Sequence, residues 1–168
     1  MSKPAEADRV PDDRRAFQTR LRGTNIHEET FLATDYLNHF NEIVMLLDMI
    51  PDMPECLEDA RAWRPKTYEE HFRDSSFSDK ELAIEAYRRA PERFRKPFDE
   101  TVATMNRLVG KSLERIEAAV ASQDRAATER ATSAASRGLQ KLIDMAGAII
   151  HGGESTMQQD EIDRLLDV

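Results

Sequence analysis

Residues 97–153 read PFDETVATMNRLVGKSLERIEAAVASQDRAATERATSAASRGLQKLIDMAGAIIHGG. Phe98, Val102, Met105, Leu108, Val109, Leu113, Ile116 and Val120 recur at spacings of mostly three and four, the period of one buried helix face. A tight turn at Ser122–Gln123 follows. Asp124 then stands where a helix N-cap is wanted, because its carboxylate can accept the orphan N–H groups of the next turn. The second run is Ala-rich and closes with Leu139, Leu142, Ile143, Met145, Ile149 and Ile150. Gly152 and Gly153 form a natural C-cap. A connection this short predicts a long antiparallel helical hairpin.

Upstream, Pro91 and Pro97 punctuate the chain. Ser78 with Glu81, and Thr67 with Glu70, have the spacing of capping boxes. They predict a helix to about Arg89 and a short turn containing His71. A short helix is expected through Glu55–Trp63, between breaks at Pro51, Pro54 and Pro65. Asn25 and Glu28 make a third capping pair, opening a strong helix that Pro51 ends. Its face is Phe31, Ala33, Leu37, Phe40, Val44 and Leu47, widened by Leu32, Tyr36, Ile43, Leu46 and Ile50. So wide a stripe belongs to a helix covered by more than one neighbour. Residues 1–23 mix Arg14, Arg15, Arg20 and Arg22 with Asp8, Asp12 and Asp13, without an apolar period, and are expected to be a disordered arm. Period-2 alternation and internal repeats are absent. The expected fold is all-α. A bundle of about four helices spans residues 24–151, and residues 152–168 are a linker plus a tethered helix.

The chain has 168 residues, 40% of them hydrophobic, with 24 Lys and Arg against 32 Asp and Glu and a net charge of −8. Its mean hydropathy is −0.64. The acidic balance excludes a sequence-independent nucleic-acid binder, which needs a basic footprint. No apolar run approaches the roughly 20 residues of a membrane span. The start lacks an apolar signal segment, so a cytoplasmic protein is expected. Cys56 is the one cysteine, which excludes an intrachain disulfide and a multi-cysteine zinc site.

Two stretches carry candidate chemistry. After Gly152–Gly153 and the polar linker Glu154-Ser155-Thr156, the chain ends MQQDEIDRLLDV. Ile162, Leu165 and Leu166 share one helical face, and Asp160, Glu161 and Asp163 sit in the first turn, where the helix dipole favours acids. This is the pattern of an amphipathic helix that docks in a partner's groove. In the first strong helix, Asp35, Asn38, His39 and Glu42 form a polar stripe. A carboxamide and an acid one turn apart can orient a water and engage a lysine.

The C-terminal segment resembles the CheY-binding peptide shared by the flagellar switch protein FliM and the chemotaxis phosphatase CheZ. Met157, Gln159, Asp160, Ile162, Asp163, Leu165 and Leu166 fill its places, over about a dozen residues of the chain. CheZ carries this peptide at its C-terminus after a linker. The stretch Ala33–Glu42 is loosely similar to the CheZ catalytic helix. That family sets an Asp and a Gln four residues apart, and those places fall on Asn38 and Glu42, with acid and amide in swapped order. Asp35 with Asn38 resembles the acid-x-x-Asn pairs of the CheC and CheX phosphatases. The resemblance implies a CheY-like response regulator as partner, with aspartyl-phosphate hydrolysis as the activity. It implies no cofactor of the chain's own, Mg2+ being supplied by the receiver.

Other readings stay open. His39 on an exposed stripe could accept a phosphoryl group, although the lysine and glycine that follow the histidine of phosphotransfer domains are missing. A non-catalytic adaptor is another, and a structural bundle that forms a homodimer through residues 98–150 is a third. None of His27, His39, His71 and His151 follows a Glu by three residues, so a bundle metal site is not expected. Met45, Met49 and Met53 read as core or boundary packing. Arg88, Arg89, Arg93, Arg95 and Lys96 form a basic patch that could meet the acidic tail.

Overall fold

The computed structural model describes residues 9–153 and 159–167 and is all-helical. Its helices are α1 (Arg9–Leu21), α2 (Asn38–Met49), α3 (Cys56–Ala62), α4 (Tyr68–Asp74), α5 (Lys80–Arg89), α6 (Glu92–Ala121), α7 (Arg125–Ile150) and α8 (Gln159–Asp167). A 3-10 turn, Thr34–Leu37, leads into α2. Six α-helices, α2 to α7, lie within residues 24–151, where a bundle of about four was expected, with α1 before them and α8 after. α3, α4 and α5 are the short pieces that the prolines and polar caps between residues 51 and 91 set apart.

α6 and α7 form the most extensive packing pair. Asp124 caps α7 by accepting from the Ala127 N–H at 3.1 Å. Gln123 makes the turn with φ of 59°. At the far end, the Gly152 N–H donates to the Ile149 carbonyl at 3.0 Å and the Gly153 N–H to the Ala148 carbonyl at 2.8 Å. These two bonds, with Gly152 at φ of 101°, make the Schellman closure that the diglycine suggested. α6 starts earlier than expected, at Glu92, and Pro97 lies inside it. In the second helical turn a proline forfeits one bond, to the carbonyl four residues back, so the helix runs through.

α2 packs on α7 and α3. Phe40, Ile43, Leu47 and Ile50 of this region meet Met105 and Ile116 of α6 and Leu139, Leu142 and Ile149 of α7 in one buried core. The expected helix start at Asn25 and Glu28 is corrected. Residues 26–33 form a closed loop, with Ile26 bridged to Ala33 and Phe31 at φ of 64°. His27 accepts the Glu29 N–H at 3.2 Å through Nδ1, and Thr30 donates its hydroxyl to the Ile150 carbonyl at 2.6 Å. Side chains thus satisfy the backbone there, and the helical ladder begins only at Asn38.

The expected disordered arm is also corrected over residues 9–21, which are α1. Phe17 is 3% exposed and Leu21 fully buried. Phe17 packs on Phe31 with ring centroids 5.1 Å apart, and Arg20 pairs with Glu85 at 3.1 Å. The arginine-rich composition hid two apolar anchors one turn apart. Met45, Met49 and Met53, expected in the core or at its boundary, are exposed along α2 and just beyond it. Among the described residues, no helix is long and apolar enough to cross a membrane.

Candidate functional site

The polar stripe divides on folding. Asp35 lies on the 3-10 turn, half-exposed, while Asn38 and Glu42 stand exposed one turn apart at the start of α2. Asn38 also ends the 3-10 turn, its N–H donating to the carbonyls of Asp35 and Tyr36. Its carboxamide oxygen accepts from Asn41 Nδ2 at 3.4 Å. No salt bridge engages Glu42 among the described residues. The amide and the acid therefore face solvent on a rigid element.

His39 does not belong with them. It is 7% exposed, and its Nε2 lies 2.8 Å from the Arg64 carbonyl, which fixes Nε2 as the donor. Its ring stacks on Trp63 at 4.5 Å, and Trp63 Nε1 donates to the His39 carbonyl at 3.1 Å. Burial holds the His39 pKa below the ordinary histidine value. An exposed phosphoryl-accepting His39 is thereby corrected to a neutral packing residue. The cause is the Trp63-Arg64 segment, which folds over the ring and was not legible from spacing within one helix.

His71, which the sequence placed only in a short turn, joins the same edge. It is half-buried on α4 and lies 5.5 Å from Tyr36, ring to ring. Burial lowers its pKa, and the neighbouring Lys66 ammonium acts the same way. Lys66 itself pairs with Asp74 at 3.3 Å. Thr67 caps α4 as expected, accepting from the Glu70 N–H at 3.1 Å.

The C-terminal helix rests on the hairpin. Leu165 and Leu166 are half-buried against the core. The helix packs chiefly on α6; a Cβ built on Gly138 of α7 would crowd Leu108 Cδ2 at 2.9 Å and stand in ordinary contact, 3.5 Å, with Leu165 Cδ2. Arg115 of α6 donates to the Leu166 carbonyl at 3.0 Å, supplying one of the acceptors' partners that a helix end lacks. Ile162 is half-exposed and Asp163 exposed. Met157 lies outside the described residues, as do the side chains of Gln159 and Asp160.

The basic patch is engaged near home. Arg88 pairs with Glu69 at 2.8 Å, Arg89 with Glu85 at 3.1 Å, and Arg93 with Glu29 at 3.8 Å. Cys56 is buried, and burial pushes its thiol pKa up. No group of three or more His, Cys, Asp or Glu among the described residues could hold a metal ion. No protein-family model, curated protein or solved structure matches the chain.

Proposed function

We propose that this chain binds a CheY-like receiver through α8 and accelerates hydrolysis of the receiver's aspartyl phosphate with Asn38 and Glu42. The observation that carries the reading is α8 itself. It is a terminal helix with Ile162, Leu165 and Leu166 on one face, each only half-buried, and its residues match the receiver-binding pattern. An amphipathic helix with incomplete cover is suited to docking in a groove.

The chemistry asks little of the partner protein. The receiver supplies Mg2+, the phosphoryl group and a lysine. Water attacks phosphorus in line, the bond to the aspartyl oxygen breaks, and inorganic phosphate and a free carboxylate result. The Asn38 carboxamide orients the water and Glu42 engages the lysine, so positioning supplies the acceleration. Asp35, on the adjoining turn, is the alternative acid.

The experiment is binding of a peptide spanning residues 153–168 to a phosphorylated and an unphosphorylated receiver from the same cell, followed by phosphate release with the full chain. Tighter binding to the phosphorylated form, and release accelerated by the native chain but not by an Asn38→Ala/Glu42→Ala variant, is the expected result. Unchanged acceleration in that variant removes the catalytic assignment. Absence of peptide binding removes the receiver.

A second reading has its own observation. The Arg115 bond to Leu166 and the Leu165 contact at Gly138 favour a tail that completes the bundle, with the hairpin serving as a structural or dimerising element. In that case truncation after Gly153 lowers thermal stability markedly.

A further inference from the structure

The outward face of α2 carries an apolar line. Met45, Met49 and Met53 are the large hydrophobic side chains left exposed among the described residues, at 56%, 36% and 38%. They recur every four residues, and the Met53 N–H donates to the Met49 carbonyl at 2.9 Å, so all three share one helical line. Phe40, Ile43, Leu47 and Ile50 take the opposite, buried face. The line is about 12 Å long, the distance over which an amphipathic helix presents apolar residues at i, i+4 and i+7. Single exposed hydrophobics are ordinary, but a contiguous line rimmed by polar residues marks an interaction site.

Charge selects the occupant. Residues 38–60 hold Glu42, Asp48, Asp52, Glu55, Glu58 and Asp59 and no Lys or Arg. Glu42 and Asp48 are exposed and flank the methionines on either side by helical position. Of the six acids, only Asp52 is in a salt bridge among the described residues, with Arg125 at 2.6 Å. The two bases that follow in the chain are committed elsewhere. Arg61 pairs with Glu117 at 2.9 Å, and Arg64 donates to the Arg61 and Trp63 carbonyls. An acidic rim repels the same face of a second copy, the acid-rich α8, nucleic acid and an anionic membrane surface. It attracts a basic surface. Methionine adds an unbranched, polarizable side chain that repacks around differing apolar shapes.

We propose that Met45, Met49 and Met53, with the carboxylates beside them, form a docking face for a basic amphipathic helix of a partner protein. The apolar residues of that helix cover the methionines, and its Lys and Arg meet Glu42, Asp48 and Glu55. No receiver is needed for this docking, and Glu42, which serves both surfaces, stays native in the test.

The test is titration of the full chain with the helical peptide LKKLLKLLKKLLKL, read by NMR of the methionine methyls. A scrambled peptide of the same composition and the glutamate counterpart LEELLELLEELLEL are the controls. The expected result is saturable binding of the lysine peptide that shifts the Met45, Met49 and Met53 methyls. Binding should weaken roughly tenfold in Met45→Gln/Met49→Gln, and the glutamate peptide should not bind. The docking face is overturned by an absence of these shifts at about 1 mM peptide, by equal binding of either control, or by native affinity in the double variant. It is also overturned if the same methyls shift when the chain alone is concentrated, which would make the face a contact between two copies. Both substituted positions are exposed, so an unchanged thermal midpoint certifies the fold of the variant. Should the midpoint fall, the methyl shifts and the control peptides decide on the native chain alone.

Discussion

His39 shows how one residue's role is set by what folds over it. On helical spacing it shares a stripe with Asp35, Asn38 and Glu42. The Trp63 ring and the Arg64 carbonyl come from 24 and 25 residues away, and no local pattern announces them. The pH dependence follows. His39 and His71 both have folded pKa values lowered by burial, against about 6.5 in an unfolded chain. The unfolded state therefore takes up protons first as pH falls. Stability is full above about pH 6.5 and declines below it, toward the lowered folded values. Glu69 and Glu85, whose pKa values are lowered by Arg88 and Arg20, lose their contribution only further down, below the ordinary Glu value. The urea midpoint should thus drop between about pH 7 and pH 5, and His39→Gln should lessen that drop while lowering the midpoint at pH 7. Thr30 makes a second case. It is fully buried and ties the 26–33 loop to the end of α7, so Thr30→Val leaves the Ile150 carbonyl without that donor and should cost about 1–3 kcal/mol in chemical unfolding.

At the scale of elements, legibility followed locality. The Asp124 cap, the Thr67 cap, the short helix after Pro54 and the diglycine closure all rest on residues near one another in sequence, and the structure holds each of them. α1 and the 26–33 loop were missed because their determinants are distant. Phe17 needs Phe31 to bury against, and the loop needs Ile150 to receive Thr30. Phe17→Ala should therefore destabilise the protein by about 3–5 kcal/mol, measured by denaturant unfolding, whereas a substitution in a disordered arm would have no effect. The α6–α7 turn gives the opposite sign. Gln123 sits in the left-handed region at φ of 59°, a cost of about 1–2 kcal/mol for a residue with a Cβ. Gln123→Gly relieves it and loses some of the gain to greater unfolded-state freedom. The net expectation is a rise in melting temperature worth up to about 1 kcal/mol.

At the scale of the whole molecule, the sequence conveyed the all-helical class, but not where the last helix rests. It rests chiefly on α6, where Arg115 bonds the Leu166 carbonyl, and that arginine carries no signal of its own. The contact is slight. Leu165 and Leu166 are half-buried and one main-chain carbonyl is engaged. Ending the chain at Gly153 should therefore lower stability by no more than about 1–2 kcal/mol, read from the thermal midpoint. A larger fall would mark the tail as part of the core.

The Arg115 bond to the Leu166 carbonyl bears on affinity as well as stability. A face that lies against the hairpin is not open to a receiver at the same moment. The apparent affinity of the full chain is then the intrinsic one scaled by the fraction of molecules whose tail is detached. The isolated 153–168 peptide should bind more tightly than the intact protein. Arg115→Ala should narrow the gap, and each tenfold of that gap measures about 1.4 kcal/mol of latch.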